Sequence, residues 1–208
     1  MEELDVINHR LGGHRVTISG LQAFALQMPK DEPLEIVEIG CGGGDNLRVI
    51  KQWCAAVRQP VGLTGVDINA DCITYARSRS ENAGIRFIHS DYGTVVFEKK
   101  PHIIFSSLFC HHFTNPQMVS MLMWMNRNAK AGFFINDLHR HPLPFFSIRI
   151  LTRLFSKSRL VKNDAPLSVK RGFTRKELTE LMADAGLAHF SITWCWAFRW
   201  LLIYQKNE

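Results

Sequence analysis

Residues 35–47, EIVEIGCGGGDNL, run an apolar segment into four clustered glycines and then into a helix-forming stretch. A strand that breaks at glycines and restarts as a helix opens a βαβ unit, because glycine permits the tight turn and a close approach to the backbone. The same rhythm recurs downstream. Strands are predicted over 36–39, 62–67, 85–89, 102–106 and 131–137, and helices over 45–58, 69–82, 115–128 and 174–185. The punctuation agrees with it. Asp45 reads as a cap, Pro60 as a stop and Gly84 as a C′ glycine; Asn115-Pro116 opens a helix, and Thr174 with Glu177 forms a capping box. Residues 188–204 read as a closing hairpin turning near Ala197. Alternation of this kind specifies an α/β fold: a Rossmann-like, doubly wound, mostly parallel sheet with helices on both faces.

Two segments stand outside the rhythm. Residues 1–28 read as helix in two pieces, broken at Gly12-Gly13 and followed by a polar linker at 29–33. Residues 139–171 form an insert after the fifth strand. The 208 residues suffice for a single domain over 1–208, with 1–33 as an N-terminal helical cover and 139–171 as a lid-like insert. Apolar content of 46% and charged content of 21% fit a globular chain, and no apolar run is long enough to span a membrane. The five cysteines are scattered, odd in number and never spaced C-x-x-C, so neither a disulfide framework nor a cysteine zinc site is expected. The N-terminus lacks the pattern of a signal peptide. A cytoplasmic location follows as the expectation.

Ligands of such sheets bind beyond the carboxyl ends of the strands. That directs attention to residues 40–46, 67–69, 90–92, 106–113 and 136–141. A glycine turn alone is a weak signal. Three acids sharpen it: Glu38 beside the turn, Asp67 at the end of the second strand and Asp91 after the third. Asp67 suits the hydroxyls of a ribose and Asp91 an adenine amino group. With Asp45, these acids would crowd a pyrophosphate with negative charge. The third glycine of G-x-G-x-x-G is also missing, since counting from Gly40 and Gly42 it falls on Asp45. An adenosine bearing a positive centre fits better.

The succession VEIGCGGG, GVDIN, HSDY and FSSLFCHHF resembles the class I S-adenosylmethionine-dependent methyltransferases over roughly residues 34–205. Their E-x-G-x-G-x-G core is matched at Glu38, Gly40, Gly42 and Gly44. The resemblance implies a seven-stranded sheet with an antiparallel last strand and S-adenosyl-L-methionine as cofactor. The cofactor residues it implies are Glu38, Gly40, Cys41, Gly42, Asn46, Asp67, Ile68, Asp91, Tyr92 and Ser107. LFCHHF and NDLHRHP are most similar to the UbiE-like small-molecule branch, and the long insert resembles methyltransferases encoded beside type III polyketide synthases. The implied acceptor is small and apolar: aromatic, quinone-like or polyketide, methylated at oxygen or carbon.

Such an acceptor needs a base, and histidine suits proton removal near neutral pH. His111, His112, His139 and His141 follow strands four and five. His139 or His112 is the expected base, with Asp137 as its orienter or a substrate acceptor. One carboxylate among histidines does not suit magnesium, so no metal is expected. Met118, Met121, Leu122 and Met125 are expected in the core, and most of Trp194, Trp196, Trp200, Phe190 and Phe198 in core and hairpin packing. His14 and Arg15 are read as a surface turn.

The insert carries apolar Phe145, Phe146, Ile148, Leu151, Leu154 and Phe155 against Arg149, Thr152 and Arg153 at helical spacing. Nine basic residues and one acid, Asp164, lie between positions 149 and 176. This pattern is an amphipathic helix with a basic face, open to three roles: plain surface, lid, or contact with an anionic membrane. The net charge of +6 fits an anionic partner, but no aromatic-interleaved motif favours nucleic acid. The rival functions are an RNA or protein methyltransferase and a non-catalytic cofactor-binding subunit.

Overall fold

The computed structural model describes residues 12–29, 32–155 and 159–206. Seven strands form one sheet in the order β3-β2-β1-β4-β5-β7-β6. They are β1 (Leu34–Ile39), β2 (Val61–Asp67), β3 (Ile85–His89), β4 (Ile103–Ser107), β5 (Gly132–Leu138), β6 (Phe190–Cys195) and β7 (Arg199–Gln205). β1 to β5 pair in parallel, and β7 lies antiparallel between β5 and β6. The predicted hairpin and reversed last strand are therefore present.

Alternate strand residues feed two cores, as the period of two requires. On one face, Val37, Ile39, Ile104, Phe133 and Ile135 meet the methionines of α4 (Asn115–Asn128) and Leu178, Leu181 and Met182 of α7 (Arg175–Asp184). On the other, Ile36, Ile103, Phe105 and Phe134 meet α1 (Gly13–Gln22), α2 (Asp45–Ala56) and α3 (Ala70–Ser78). The capping box at Thr174 and Glu177 is formed, and the helix at 115–128 starts and stops where its sequence signals lie.

Several local expectations change. Asp45 is the first residue of α2 and Gly44 is its N-cap, in the left-handed conformation at φ 78°. α3 ends at Ser78, short of Asn82. Asn82 is buried, and its amide donates to the carbonyls of Ala76 and Gly43, pulling the chain out of the helix. Trp200 is buried in the core, whereas Trp194 and Trp196 are exposed and pack against Phe198 on the β6–β7 hairpin. The helical piece expected before Gly12 lies outside the described residues.

The insert forms two helices packed on each other, α5 (Pro142–Phe155) and α6 (Arg159–Arg171). Both of its ends are tied to the carboxyl end of β5. The Arg140 N–H donates to the Phe173 carbonyl at 2.9 Å, the Phe173 N–H to Leu138 at 2.8 Å, and the Trp200 indole N–H to Phe173 at 3.0 Å. Leu143, Phe146 and Arg149 are exposed. Thr152, expected on the polar face, is buried, and its hydroxyl is satisfied within the helix by the Ile148 carbonyl. The side chains of Leu151, Arg153, Leu154 and Phe155 lie outside the described set.

α1 crosses β5 at Gly20, where an added Cβ would come within 2.5 Å of the Phe134 ring. Gly20→Ala is expected to lower stability by about 1–3 kcal/mol through overpacking, read as a fall in the denaturant midpoint at unchanged slope.

Candidate active site

The glycine turn follows β1 and leads into α2. Its amides are already engaged: Gly40 and Cys41 donate to the Val66 carbonyl, Gly42 to Asp67 Oδ2 at 2.9 Å, and Gly44 to Cys41. A phosphate-binding turn needs free N–H groups facing its anion, and here four donors face protein acceptors. The geometry therefore agrees with the charge argument against a pyrophosphate.

A cavity opens at the carboxyl ends of β1, β2 and β3. Its lining joins Gly40, Asp67 and Asp91 to the apolar faces of Ile68, Tyr92, Phe109 and Phe113. Ile68 is 63% exposed although apolar. Leu108 holds a left-handed φ of 52° directly after β4. That conformation costs a non-glycine residue about 1–3 kcal/mol. It precedes Phe109, whose ring lies so close over Gly40 that a Cβ there would be 2.3 Å from it. The cavity thus collects five of the expected cofactor residues: Gly40, Asp67, Ile68, Asp91 and Tyr92. The Cys41 thiol turns away into the core against Gly65, and burial pushes its pKa up.

Glu38, Asn46 and Ser107 belong to a buried hydrogen-bond chain instead. Asn46 Nδ2 donates to Glu38 Oε1 at 2.9 Å, and the Thr17 hydroxyl to Asn46 Oδ1 at 3.0 Å. Asn136 Nδ2 donates to Thr17 at 3.2 Å and lies 3.3 Å from the Ser107 hydroxyl. Arg199 Nη1 donates to Asn136 Oδ1 at 3.4 Å. Glu38 Oε2 is buried and has no hydrogen-bond partner among the described residues. Burial, then the nearby Asp45 and Asp67 carboxylates, raise the Glu38 pKa well above the usual carboxylate range. Burial lowers the Arg199 guanidinium to about 10 against the pull of Asp137 and Asp45, so it stays charged at neutral pH. His14, read as a surface turn, is mostly buried and bonds Asp45 at 3.1 Å, tying α1 to α2.

The histidines sort differently from the sequence expectation. Asp137 faces His111, with Oδ1 2.7 Å from His111 Nδ1 and both side chains almost wholly buried. Asp137 Oδ2 accepts from the His111 backbone N–H at 3.2 Å, and Oδ1 from the Leu138 N–H at 2.7 Å. Burial alone would raise the Asp137 pKa, but the His111 ring and these N–H donors outweigh it and hold the carboxyl below its ordinary value. His112 is exposed, its ring 4.3 Å from that of His111. His139 packs against His141, Phe198 and Trp200, and burial followed by the His141 charge lowers its pKa. Asp137 orients neither of the two expected bases. Thr17, Asn136 and Arg199 were not singled out in the sequence. Their only signal there is polarity inside apolar strands, FFIND and RWLLIY, or one face of a cover helix.

A methyltransferase-domain family model matches residues 36–132. A fatty-acid O-methyltransferase of Mycolicibacterium smegmatis is 32% identical over 69 residues, 33% of this chain and 24% of that enzyme. The matched segment thus spans about a quarter of that relative. The structure of the plantazolicin methyltransferase in complex with SAH superposes with a TM-score of 0.70 at 18% identity, covering 96% of this chain and 87% of the other. Magnesium protoporphyrin IX methyltransferase from Synechocystis PCC 6803 with bound SAH gives 0.64 at 13% identity, covering 95% and 85%. The matched domain and the shared fold support a class I S-adenosylmethionine-dependent methyltransferase.

The buried Glu38 sets a stability slope. A carboxyl whose folded pKa is raised stays protonated in the native state while the unfolded chain ionises, so stability falls as pH rises from the unfolded value of about 4.3. Glu38→Gln is expected to raise the melting temperature at pH 7–8 and to leave it unchanged below pH 4, as read by calorimetry across pH.

Proposed function

We propose that this chain transfers a methyl group from S-adenosylmethionine to oxygen or carbon of a small, apolar acceptor, aromatic, quinone-like or polyketide in kind. The observation that carries the cofactor half is the cavity holding Asp67 and Asp91 beside Gly40, two residues from a buried Glu38 oxygen that has no partner among the described residues. A ribose can donate to the free lone pairs of Asp67, whose Oδ2 and Oδ1 each accept one backbone N–H, from Gly42 and Asn69. An adenine can lie among Ile68, Tyr92, Phe109 and Phe113 with its amino group toward Asp91. An ammonium or sulfonium would relieve the crowding of Glu38, Asp45 and Asp67. The cofactor supplies the electrophilic methyl; the chain supplies orientation and exclusion of water.

The acceptor half rests on the other side of the strand ends. His141 stacks on Phe198 with ring centroids 5.5 Å apart, and Trp194 and Trp196 lie 5.9 and 6.5 Å from the same ring. This aromatic rim adjoins the start of α5, where Leu143 and Phe146 are exposed. It favours an apolar guest. SSLFCHHF after β4 does not match the N-P-P-Y type of tetrapeptide expected for amino-group methylation, which weighs against the RNA and protein alternatives. Intact cofactor acids weigh against a purely structural subunit.

Calorimetry with S-adenosylmethionine and its demethylated product tests the reading: both are expected to bind and NADH is not. Asp67→Ala is expected to weaken cofactor binding about 10–100-fold, the worth of charged hydrogen bonds. Unchanged affinity removes Asp67 from the ribose role.

The exposed Trp194, Trp196, Leu143 and Phe146, with exposed Arg15 and Arg149, also favour peripheral contact with an anionic membrane, from which an apolar acceptor would enter. Among the described residues no helix is long and apolar enough to cross a membrane. Mixing the protein with phosphatidylglycerol vesicles is expected to shift tryptophan emission to the blue. The shift should be lost in the Trp194→Ala, Trp196→Ala double variant and be weak with phosphatidylcholine alone. Equal behaviour of wild type and variant rejects the contact.

A further inference from the structure

We propose that His111 Nε2 is the group that takes the acceptor's proton, and that the acceptor accordingly presents a protonated hydroxyl, a phenol or enol, and not a carboxylate. The inference rests on the methyltransferase reading and deepens it. Four observations place it. His111 sits in the 3-10 turn Cys110–His112 just beyond β4, and Asp137 near the end of the neighbouring β5. This is the sheet end that carries the glycine turn. Two residues upstream, Phe109 lies over Gly40 and lines the cofactor cavity. α6 of the insert packs against the 3-10 turn that holds this histidine.

The fourth observation is chemical. A carboxylate only accepts, so the 2.7 Å contact puts the imidazole proton on Nδ1 and leaves a lone pair on Nε2. That nitrogen is buried and has no hydrogen-bond partner among the described residues. Leaving a buried acceptor unmatched is destabilising, and an arriving O–H donor would relieve it. A carboxylate guest has no proton to offer and would face the buried negative charge of Asp137. Arg199 lowers that charge's reach and His112 borders the ring, but neither supplies the missing donor. Among the described residues His139 has no carboxylate partner to support a positive ring.

The proton and electrons balance within the pair of reactants. The acceptor's O–H proton passes to Nε2, giving an imidazolium held by Asp137. The oxygen's electron pair forms the bond to the methyl carbon as the carbon–sulfur bond breaks, and sulfur keeps that pair. The imidazolium then releases its proton to water. Asp137 is a positioning residue in this scheme; it fixes the tautomer and steadies the charged ring.

The test uses the full chain loaded with SAH, 15N-labelled at the histidine rings, and two probes of similar chain length, 4-nonylphenol and decanoate. The His111 signals, assigned by their loss in His111→Gln, are expected to show the Nδ1–H tautomer. The Nε2 signal should move on adding 4-nonylphenol and stay put on adding decanoate. Asp137→Asn is expected to scramble the tautomer without loss of SAH binding. With S-adenosylmethionine carrying a tritiated methyl, His111→Gln is expected to lower kcat for the phenol by about 10²–10⁴-fold, the usual worth of a general base, at nearly unchanged KM. An Nε2 signal blind to the phenol, an equal response to decanoate, or phenol turnover within tenfold of wild type in the variant overturns the proposal. Calorimetry separates the two levels: no heat with SAH sinks the methyltransferase reading, whereas SAH binding with a silent Nε2 sinks this one alone.

Discussion

The buried hydrogen-bond chain from Glu38 to Arg199 is the constraint on which the rest of the molecule depends. It runs through Asn46, Thr17 and Asn136 and so joins β1, α2, α1, β5 and β7. Buried polar groups are costly unless paired, so each member dictates where the next element must sit. α1 covers the sheet because Thr17 answers both Asn46 and Asn136. β7 comes in antiparallel beside β5 with Arg199 opposite Leu138, close enough for the guanidinium to reach Asn136. One unmatched oxygen remains, on Glu38, at the end of the chain beside the glycine turn.

That arrangement divides the carboxyl end of the sheet into two chemical halves. The β1–β2–β3 half gathers acids and flat apolar surface, suited to a cationic adenosine. The β4–β5–β7 half gathers histidines, one buried acid and aromatic rings. The insert leaves and rejoins at the end of β5, so both of its ends are anchored at the second half. The strained Leu108 stands at the boundary: it turns the chain so that Phe109 lies over the glycine turn and the next residues fold back toward Asp137.

Much of this was legible in the residues. The alternation of strands and helices, the hairpin at the end and the acids at the carboxyl ends of β1, β2 and β3 follow from period and position. Five of the expected cofactor residues line one cavity because strand ends of a parallel sheet converge there by construction. The errors have local causes. Asp45 looked like a cap, but Gly44 already adopts the left-handed turn, freeing the carboxylate for His14. Composition did not separate core from hairpin packing among the tryptophans, and Trp194 and Trp196 pack on Phe198 of the hairpin. Burial depends on what a hairpin faces, and nothing in their own spacing reveals that.

The sequence by itself determined the fold class, the gathering of Gly40, Asp67 and Asp91 at one end of the sheet and the cluster of histidines near the other half of that end. Only the tertiary structure decided which histidine Asp137 supports. His111 and His112 are adjacent in a 3-10 turn, where neighbours point about a third of a turn apart. One is therefore driven into the buried carboxylate and the other toward solvent. That choice depends on where β4 ends, on the φ of Leu108 and on the pairing of β4 with β5 that brings residues 26 apart into contact. No periodicity encodes it, because it is set by long-range packing.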